Sequence, residues 1–210
     1  MDEWESKIKA IVENTWNKDV NSLSGVPSWM LVLIKAVLKK TGREYLTDVW
    51  PNLEVFFHGG ISFEPYREQY KTLIPSNKMH YMETYNASEG FFGLQDDPTD
   101  SSLLMMPDYG IFYEFIPMNE VGNAHPTVLP LESVETGKNY AMVITTSGGL
   151  WRYQIGDTVR FTSLFPHKFV ISGRTKHFIN AFGEELMVDN ADKAIAMTCL
   201  RTGAKGKEYT

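Results

Sequence analysis

A strand, a glycine turn, a helix and a second strand follow one another in the first half of this sequence. Residues 53–57 are an apolar run that favours a strand, and the pair Gly59-Gly60 follows it directly. Ser62 is placed to cap a helix over residues 63–73, and residues 79–84 have the composition of the next strand. This order is typical of parallel strands joined by a right-handed crossover helix, so it restricts this part of the chain to an α/β sheet.

Two apolar segments precede the first of these strands. Residues 4–17 place large apolar side chains at three- and four-residue steps, which predicts a helix that covers the sheet. Residues 29–40 predict a second helix that stops at Gly42, because glycine adopts the left-handed conformation readily. This second segment is apolar nearly all round, so we expect it to be buried.

The pattern changes after residue 92, where short strands and turns continue without a helix until residues 185–200. Such a run is typical of an antiparallel sheet or barrel. The predicted strands are residues 103–106, 111–116, 140–145, 150–154, 158–162 and 168–172. The predicted fold class is therefore α/β, with a parallel portion in residues 1–95 and an antiparallel, barrel-like β-rich portion in residues 96–184. Residues 185–210 are expected to begin the connection to a further domain.

Composition excludes several classes of protein. The chain has 20 basic and 26 acidic residues, a net charge of −6 and no basic cluster, which argues against nucleic acid as a partner. Its five histidines lack the spacing of a zinc site, and its one cysteine, Cys199, fits a reducing compartment. The most apolar run, residues 29–38, contains Lys35 and is too short to span a membrane. We therefore expect a cytoplasmic protein without a membrane partner, and its oligomeric state stays open.

The hexapeptide Tyr85-Asn86-Ala87-Ser88-Glu89-Gly90 combines an aromatic ring with a carboxylate. A tyrosine ring that stacks on a nucleotide base gains about 1 kcal/mol beyond its burial, and a carboxylate such as Glu89 is the hard oxygen ligand that Mg²⁺ prefers. The hexapeptide and the glycine pair both follow predicted strands, and ligands of open α/β sheets bind beyond the carboxyl ends of strands. The alternative is a plain turn in which Ser88 is a cap and Glu89 is exposed.

A second motif, Tyr153-Gln154-Ile155-Gly156-Asp157, ends a predicted strand with a glycine and an acid. One carboxylate can accept hydrogen bonds from two adjacent hydroxyl groups, so Asp157 can hold the 2′ and 3′ oxygens of a ribose. Arg174 follows a later strand, where its guanidinium could reach ribose or phosphate. Gly-Asp is also a common turn, and an isolated arginine is often a plain surface residue. Together, the two motifs predict a nucleotide site.

Two further segments have simpler interpretations. Residues 145–149 resemble a phosphate-binding loop in composition, but they lie between two strands without a following helix, which favours a hairpin turn. Asp96, Asp97 and Asp100 could collect a cation, and a solvated acidic loop is the simpler interpretation.

With both motifs identified, the sequence resembles the GH3 family of acyl-acid amido synthetases, most closely its bacterial branch. This family is related to the adenylate-forming acyl-CoA synthetases and luciferases. The blocks that carry the resemblance, in family order, are Gly25-Val26-Pro27-Ser28-Trp29, Trp50-Pro51-Asn52-Leu53, His58-Gly59-Gly60, Tyr85 to Gly90, Tyr113-Glu114-Phe115-Ile116-Pro117, Gly149 to Asp157, and Gly173-Arg174. The resemblance implies the large N-terminal domain of adenylate-forming enzymes as the fold. It also implies ATP and Mg²⁺ as cofactors, with carboxylic acid and amino acid substrates.

The resemblance also implies a role for each residue of both motifs. Glu89 corresponds to the catalytic carboxylate that binds Mg²⁺, Tyr85 to the neighbour of the adenine, and Asp157 to the ribose ligand. The other implied nucleotide contacts are Gly59, Gly60, Ser88 and Arg174.

Two features of the family pattern have no counterpart in this sequence. No Ser/Thr/Gly-rich phosphate loop precedes residue 59, and the sequence ends where a C-terminal domain would begin. Thr175 and Lys176 stand where related enzymes have a hinge. We therefore expect residues 1–210 to be the central part of a longer enzyme, inactive by themselves. The alternatives are a thioester-forming ligase of the same superfamily and a non-catalytic nucleotide-binding or scaffold protein that is complete at this length.

Overall fold

The chain divides into two compact units. The computed structural model describes residues 2–175, 179–181, 184–186 and 188–204. The first unit contains the chain up to Glu83 and the described residues from Ile195 onward, and the second unit runs from Thr84 to Ala194. The three domain segments expected from the sequence stay a prediction.

The first unit is built on three parallel strands. Its elements, in chain order, are α1 (Asp2–Thr15), β1 (Ser22–Gly25), α2 (Pro27–Thr41), β2 (Val55–His58), α3 (Arg67–Leu73) and the first four residues of β3 (His80–Ala87). Phe56 of β2 pairs with Leu23 of β1 and with Tyr81 of β3, in parallel register on both sides. The predicted order of strand, glycine turn, helix and parallel strand is confirmed.

The helix after the glycine turn begins differently from the prediction. A 3₁₀ turn over Glu64–Tyr66 precedes α3, and no side-chain hydrogen bond caps either element. The N–H groups of Tyr66 and Arg67 both donate to the carbonyl oxygen of Phe63, at 2.9 and 3.1 Å. The predicted cap, Ser62, is therefore wrong, because a backbone carbonyl already satisfies the first donors of the helix.

The second helix, α2, ends as predicted but is less buried than predicted. Gly42 has a φ of +65°, and its N–H donates to Leu38 O at 2.9 Å. Ile34 and Val37 are fully buried, whereas Trp29 and Val32 are 56% and 46% exposed. One side of this apolar helix faces the core, and the other side remains at the surface of the unit. No helix within the described ranges has the length and apolarity that a membrane span requires.

The second unit is an antiparallel sheet. Its further strands are β4 (Gly90–Gln95), β5 (Leu103–Met105), β6 (Ile111–Pro117), β7 (Leu129–Pro130), β8 (Asn139–Thr146), β9 (Tyr153–Leu164) and β10 (His167–Arg174). With the end of β3, they lie in the order β3-β4-β5-β10-β9-β8-β6-β7. The predicted class, a parallel portion followed by an antiparallel β-rich portion, is confirmed. Residues 145 and 146 end β8, and residues 147–149 begin its connection to the paired strand β9, so the predicted hairpin turn is also confirmed.

Several boundaries in this unit differ from the prediction. Residues 150–154 and 158–162 were expected to be two strands, but β9 joins residues 153 and 154 to the whole of the second one, because Gly156 and Asp157 form a bulge rather than a turn. Residues 150–152 lie before the start of β9. Strands β4 and β7 were not predicted. The helix expected over 185–200 is α4 (Val188–Thr202), and it follows a short antiparallel pair, β11 (Ile179–Ala181) with β12 (Glu184–Leu186).

The first motif occupies a hairpin rather than the end of a parallel strand. Tyr85 lies inside β3, and Ser88 and Glu89 form a two-residue turn that connects Ala87 to its cross-strand partner Gly90. The expectation that the hexapeptide follows the carboxyl end of a strand is therefore wrong. The reason is that β3 continues past its parallel pairing with β2 and then pairs with β4 in the opposite sense.

Candidate functional site

The structure joins the two sequence motifs through Asp157. The Tyr85 hydroxyl donates a hydrogen bond to Asp157 Oδ2 at 2.6 Å. Arg174 Nε lies 3.2 Å from Asp157 Oδ1, within ion-pair distance. The Asp157 side chain is only 18% exposed, whereas the Arg174 side chain is 58% exposed. Among the described residues, Tyr85 is thus the partner of one carboxylate oxygen and Arg174 the partner of the other, and the group is held at the edge of the unit's core.

Two bulges place Asp157 opposite Arg174. The pairing of β8 with β9 shifts between Ala141 and Val143, and the pairing of β10 with β9 shifts between Ile171 and Gly173. Beyond the second shift, Arg174 and Asp157 are direct cross-strand partners. Side chains of directly opposed residues lie on the same face of a sheet, which explains the ion pair.

Gly156 is required at this bulge for two reasons. Its φ of +87° lies in the left-handed region, which residues other than glycine rarely adopt. A Cβ atom at this position would also lie 3.3 Å from Arg174 Nη2. The glycine therefore lets the guanidinium pass close to the backbone of β9, where Nη2 donates to Ile155 O at 3.4 Å.

Tyr85 is a buried residue with a polar tip. Its side chain is 6% exposed, and its ring packs against Phe92 and Phe169 at centroid distances of 4.9 and 6.1 Å. Burial first, and then the negative charge of Asp157, raise the pKa of Tyr85, so its hydroxyl stays protonated and donates. The predicted contact of Tyr85 with adenine stays a prediction, and the observed contact is the one with Asp157.

Glu89 and Ser88 lie at the tip of the β3–β4 hairpin. Ser88 is exposed and Glu89 is half-buried. The negative charge of Glu89 contributes to the raised pKa of Tyr85, so the two side chains are within electrostatic range of each other. Among the described residues, no three His, Cys, Asp or Glu side chains converge as a metal cluster. The role of Glu89 as a Mg²⁺ ligand stays a prediction, and it needs no such cluster, because Mg²⁺ bound to phosphates usually takes only one or two carboxylates from a protein.

The predicted glycine pair belongs to the first unit. Gly59 and Gly60 directly follow β2, as the sequence predicted. Gly60 has a φ of +84° and is exposed, and a Cβ atom there would meet Val26 Cγ2 at 3.4 Å. Their role as nucleotide contacts stays a prediction. Of the two residues predicted to form a hinge, the structure describes only Thr175, whose N–H donates to Gly156 O at 2.8 Å. Lys176 lies outside the described residues.

The acidic loop that could collect a cation already has one. Lys168 Nζ lies 2.8 Å from an oxygen of Asp96 and 3.3 Å from an oxygen of Asp100. Asp97 instead accepts hydrogen bonds from the backbone and hydroxyl of Thr99. The loop is therefore held by a lysine of the neighbouring strand β10.

Two residues of this region were missed by sequence reasoning. The Ser172 hydroxyl donates to Thr158 Oγ1 at 3.0 Å, and both residues are fully buried. They adjoin the bulge that sets Asp157 opposite Arg174. The only sequence signal was a serine directly before a glycine at the end of a strand, a position where bulges are common.

Comparison with solved structures defines the class of fold. The chain is similar to the GH3.15 acyl acid amido synthetase, with a TM-score of 0.68 and 20% identity, over 94% of this chain and 43% of that one. It is also similar to 2-hydroxyisobutyryl-CoA ligase in complex with 2-HIB-AMP, with a TM-score of 0.62 and 15% identity, over 90% of this chain and 40% of that one. The fold is therefore that of the adenylate-forming enzymes.

Sequence comparison defines the family. Residues 1–79 match the GH3 family N-terminal domain, and residues 104–174 match the GH3 family central domain. The indole-3-acetic acid-amido synthetase GH3.4 of Arabidopsis thaliana is 31% identical in an alignment of 166 residues that covers 74% of this chain and 26% of that protein. The 4-substituted benzoates-glutamate ligase GH3.12 of the same plant is 33% identical in an alignment of 175 residues that covers 77% of this chain and 29% of that protein. The chain belongs to the GH3 family, and it spans about a quarter of the length of these curated relatives.

Proposed function

We propose that the protein acts as an ATP-dependent acyl-acid amido synthetase, which adenylates a carboxylic acid and transfers the acyl group to the amine of an amino acid. Membership of the GH3 family supports this activity, since matched relatives are named as amido synthetases and as a glutamate ligase. The observation that carries the proposal is the joining of both motifs at Asp157, through the hydroxyl of Tyr85 and the guanidinium of Arg174.

The proposed reaction has two steps, formation of an acyl-adenylate and transfer of the acyl group to the amine. A carboxylate oxygen of the acid attacks the α-phosphorus of ATP, and pyrophosphate leaves. The amine then attacks the carbonyl carbon of the acyl-adenylate, the bond from that carbon to the AMP oxygen breaks, and the amine releases a proton. Activation is needed because a free carboxylate resists nucleophiles, whereas AMP is a good leaving group.

Asp157 is proposed to hold the ribose of ATP. One lone pair of Oδ2 accepts from Tyr85, and Oδ1 faces Arg174. A carboxylate has about four acceptor sites, so acceptor capacity remains for the two ribose hydroxyl groups. Holding the group from two sides before ATP arrives reduces the ordering that binding would otherwise require.

Glu89 is proposed to bind the Mg²⁺ that accompanies ATP and to serve as the catalytic carboxylate. Mg²⁺ at this position would neutralise charge that develops on the phosphates. Ser88, on the same hairpin turn, is proposed to contact the nucleotide, and Gly59 and Gly60 to let backbone approach the adenine. The proposed substrates are a carboxylic acid and an amino acid, and a cytoplasmic location stays a prediction from the sequence.

The test measures acid-dependent pyrophosphate exchange by the complete natural protein with ATP, Mg²⁺ and a panel of carboxylic acids. Parallel reactions then receive either a mixture of amino acids or coenzyme A, and mass spectrometry identifies an amide or a thioester. We expect exchange with at least one acid and an amide product. A thioester alone would replace the proposal with a thioester-forming ligase, and binding of ATP without exchange would favour a non-catalytic nucleotide-binding protein.

The ribose assignment is tested in the same assay with Asp157→Ala. Loss of the carboxylate should raise the KM for ATP at least tenfold, equivalent to about 1.4 kcal/mol of lost binding, or abolish exchange. Asp108→Ala, in the exposed loop before β6, is the matched control and should behave as the wild type. Unchanged exchange by Asp157→Ala would show that Asp157 does not hold the ribose.

A further inference from the structure

A buried pair of hydroxyl groups ties β10 to β9 beside the candidate site. Ser172 Oγ donates to Thr158 Oγ1 at 3.0 Å, and neither residue has any exposed surface. Thr158 directly follows Asp157, and Ser172 precedes Arg174 by two positions. The hydrogen bond therefore joins the two strands next to the two charged residues that face each other.

The hydrogen bond lies at the bulge itself. Ile171 faces Val159, the next facing pair is Gly173 with Thr158, and Ser172 is the extra residue between them. In a bulge of this kind, two residues of one strand oppose one residue of the other, and both are directed toward that one residue. Ser172 and Gly173 thus share Thr158, and the following pair is Arg174 with Asp157.

The presence of one extra residue before Gly173 decides what faces Asp157, and its position in β10 decides which way Ser172 points. Without the bulge, Gly173 would face Asp157 and Arg174 would face Gly156, so the ion pair would lose its cross-strand geometry. If the extra residue lay one position earlier in β10, Ser172 would turn to the opposite face of the sheet, because side chains alternate along a strand. Thr158 would then lose Ser172 as its partner inside the core, which is unfavourable for a buried hydroxyl group.

We propose that Ser172 and Thr158 are positioning residues for the nucleotide site, which place Arg174 and Asp157 opposite each other by anchoring the bulge of β10. This inference rests on the proposed function for its effect on ATP, and on the bulge alone for its effect on the strands. The resemblance to the GH3 family implies no role for either residue.

The test separates positioning from stability by replacing both hydroxyl groups together. Replacing both partners of a buried hydrogen bond by apolar groups of the same shape can leave stability nearly unchanged, whereas removing one partner leaves the other unsatisfied. The double variant Thr158→Val with Ser172→Ala, in the complete natural protein, should therefore unfold close to the wild-type temperature. We expect its KM for ATP to rise at least fivefold while kcat changes less than twofold.

A second hydroxyl pair on the same strand serves as a control for distance from the bulge, with Ser102 buried and Thr162 exposed. Thr162 Oγ1 donates to Ser102 Oγ at 2.9 Å, and Thr162 lies five positions after Asp157, roughly 17 Å along β9. The double variant Thr162→Val with Ser102→Ala should leave the KM for ATP within twofold of the wild type. The single variant Thr158→Val should also weaken ATP binding. Thr158→Ser, which keeps a hydroxyl group at position 158, should retain most of the ATP affinity that Thr158→Val loses.

A second measurement does not depend on ATP. The N–H of Thr175 donates to Gly156 O at 2.8 Å across the bulge. Its hydrogen exchange, followed by nuclear magnetic resonance without nucleotide, should accelerate at least tenfold in the Thr158/Ser172 double variant and not in the Thr162/Ser102 control. Equal exchange in both double variants would overturn the positioning role. If exchange accelerates but neither this variant nor Asp157→Ala affects ATP, the proposed ribose contact fails and the structural role of the pair stands.

Discussion

The Tyr85 hydroxyl lies 2.6 Å from Asp157 Oδ2, although the two residues are 72 positions apart in sequence. Each residue comes from a different sequence motif, so this hydrogen bond is the direct physical link between them. The tyrosine is buried and its raised pKa keeps the hydroxyl protonated. Under the proposed function, Tyr85 would therefore act on the nucleotide through Asp157.

Tyr85→Phe tests this link because it removes the hydroxyl and keeps the ring. We expect a loss of roughly 1.5–3 kcal/mol in the free energy of unfolding, since a hydrogen bond to a charged acceptor is lost. We also expect the KM for ATP to rise at least fivefold, because Asp157 loses the hydrogen bond that holds Oδ2. Pyrophosphate exchange and urea unfolding are the measurements.

Tyr113→Phe is the matched control for that variant. Tyr113 is 3% exposed in the same core. Its hydroxyl donates to Met106 O at 3.3 Å, and neither of these residues belongs to the two motifs. It should lose roughly 0.5–1 kcal/mol of stability and keep the wild-type KM for ATP. If both variants keep that KM, Tyr85 acts through its ring or not at all.

Gly156→Ala tests the close approach of Arg174 to the bulge. Alanine at a φ of +87° is expected to lower the free energy of unfolding by about 1–2 kcal/mol. The added methyl group should also displace the guanidinium and raise the KM for ATP at least threefold. Gly149→Ala is the control, because its φ is +101° and no atom lies within 4 Å of the added Cβ. Similar stability losses with equal KM values would show that the crowding at Arg174 has no consequence for ATP.

Glu83 should make the stability of the protein depend on pH. Burial first, then the charge of Glu64, raise the pKa of Glu83 from 4.5 to about 7, and Arg67 opposes them in part. In the unfolded chain this carboxyl has its ordinary pKa. Between these two pKa values the folded protein therefore holds a proton on Glu83 that the unfolded chain releases, and the contribution of Glu83 to stability falls as pH rises from about 4.5 through 7.

We expect Glu83→Gln to remove this dependence, because glutamine cannot ionise. Relative to the wild type, the variant should gain on the order of 2 kcal/mol of stability when the pH is raised from 5 to 8. Burial lowers the pKa of His58, the cross-strand neighbour of Glu83, from 6.5 to about 4, which makes stability rise with pH over part of this range. His58 is present in both proteins, so its effect cancels in the difference between Glu83→Gln and the wild type. Urea unfolding at both pH values is the measurement, and Glu68→Gln, at an exposed position, is the control. A constant difference between Glu83→Gln and wild type would contradict the raised pKa.

Lys168 should stabilise the acidic loop, because its positive charge lies between two carboxylates and offsets their repulsion. Removing its charge in Lys168→Gln leaves Asp96 and Asp100 close together without a cation, so we expect the unfolding temperature to fall by roughly 2–4 °C. The loss should shrink in 1 M NaCl, because salt screens the repulsion. Lys71→Gln, which removes an exposed ion pair with Glu68, should change the unfolding temperature very little. Equal effects of the two variants would contradict a special role for Lys168.

The local elements of the first unit were readable from the sequence. Apolar spacing predicted α1 and α2, Gly42 marked the end of α2, and the glycine pair marked the end of β2. The second unit was harder to read because its strand ends depend on pairing. Gly156 and Asp157 look like a turn in the sequence, and they continue a strand because β8 and β10 both pair with β9 on either side of them.

By itself, the sequence determined the fold class, the family blocks and the residue types of the candidate site. These properties are local, since periodicity, turn residues and short motifs are written in neighbouring positions. Only the tertiary structure decided that Tyr85 holds Asp157, that Arg174 faces Asp157, and that the hydroxyl groups of Ser172 and Thr158 meet in the core. Those contacts depend on the register of β9 and β10, and that register is set by bulges whose position follows from packing between strands rather than from local sequence.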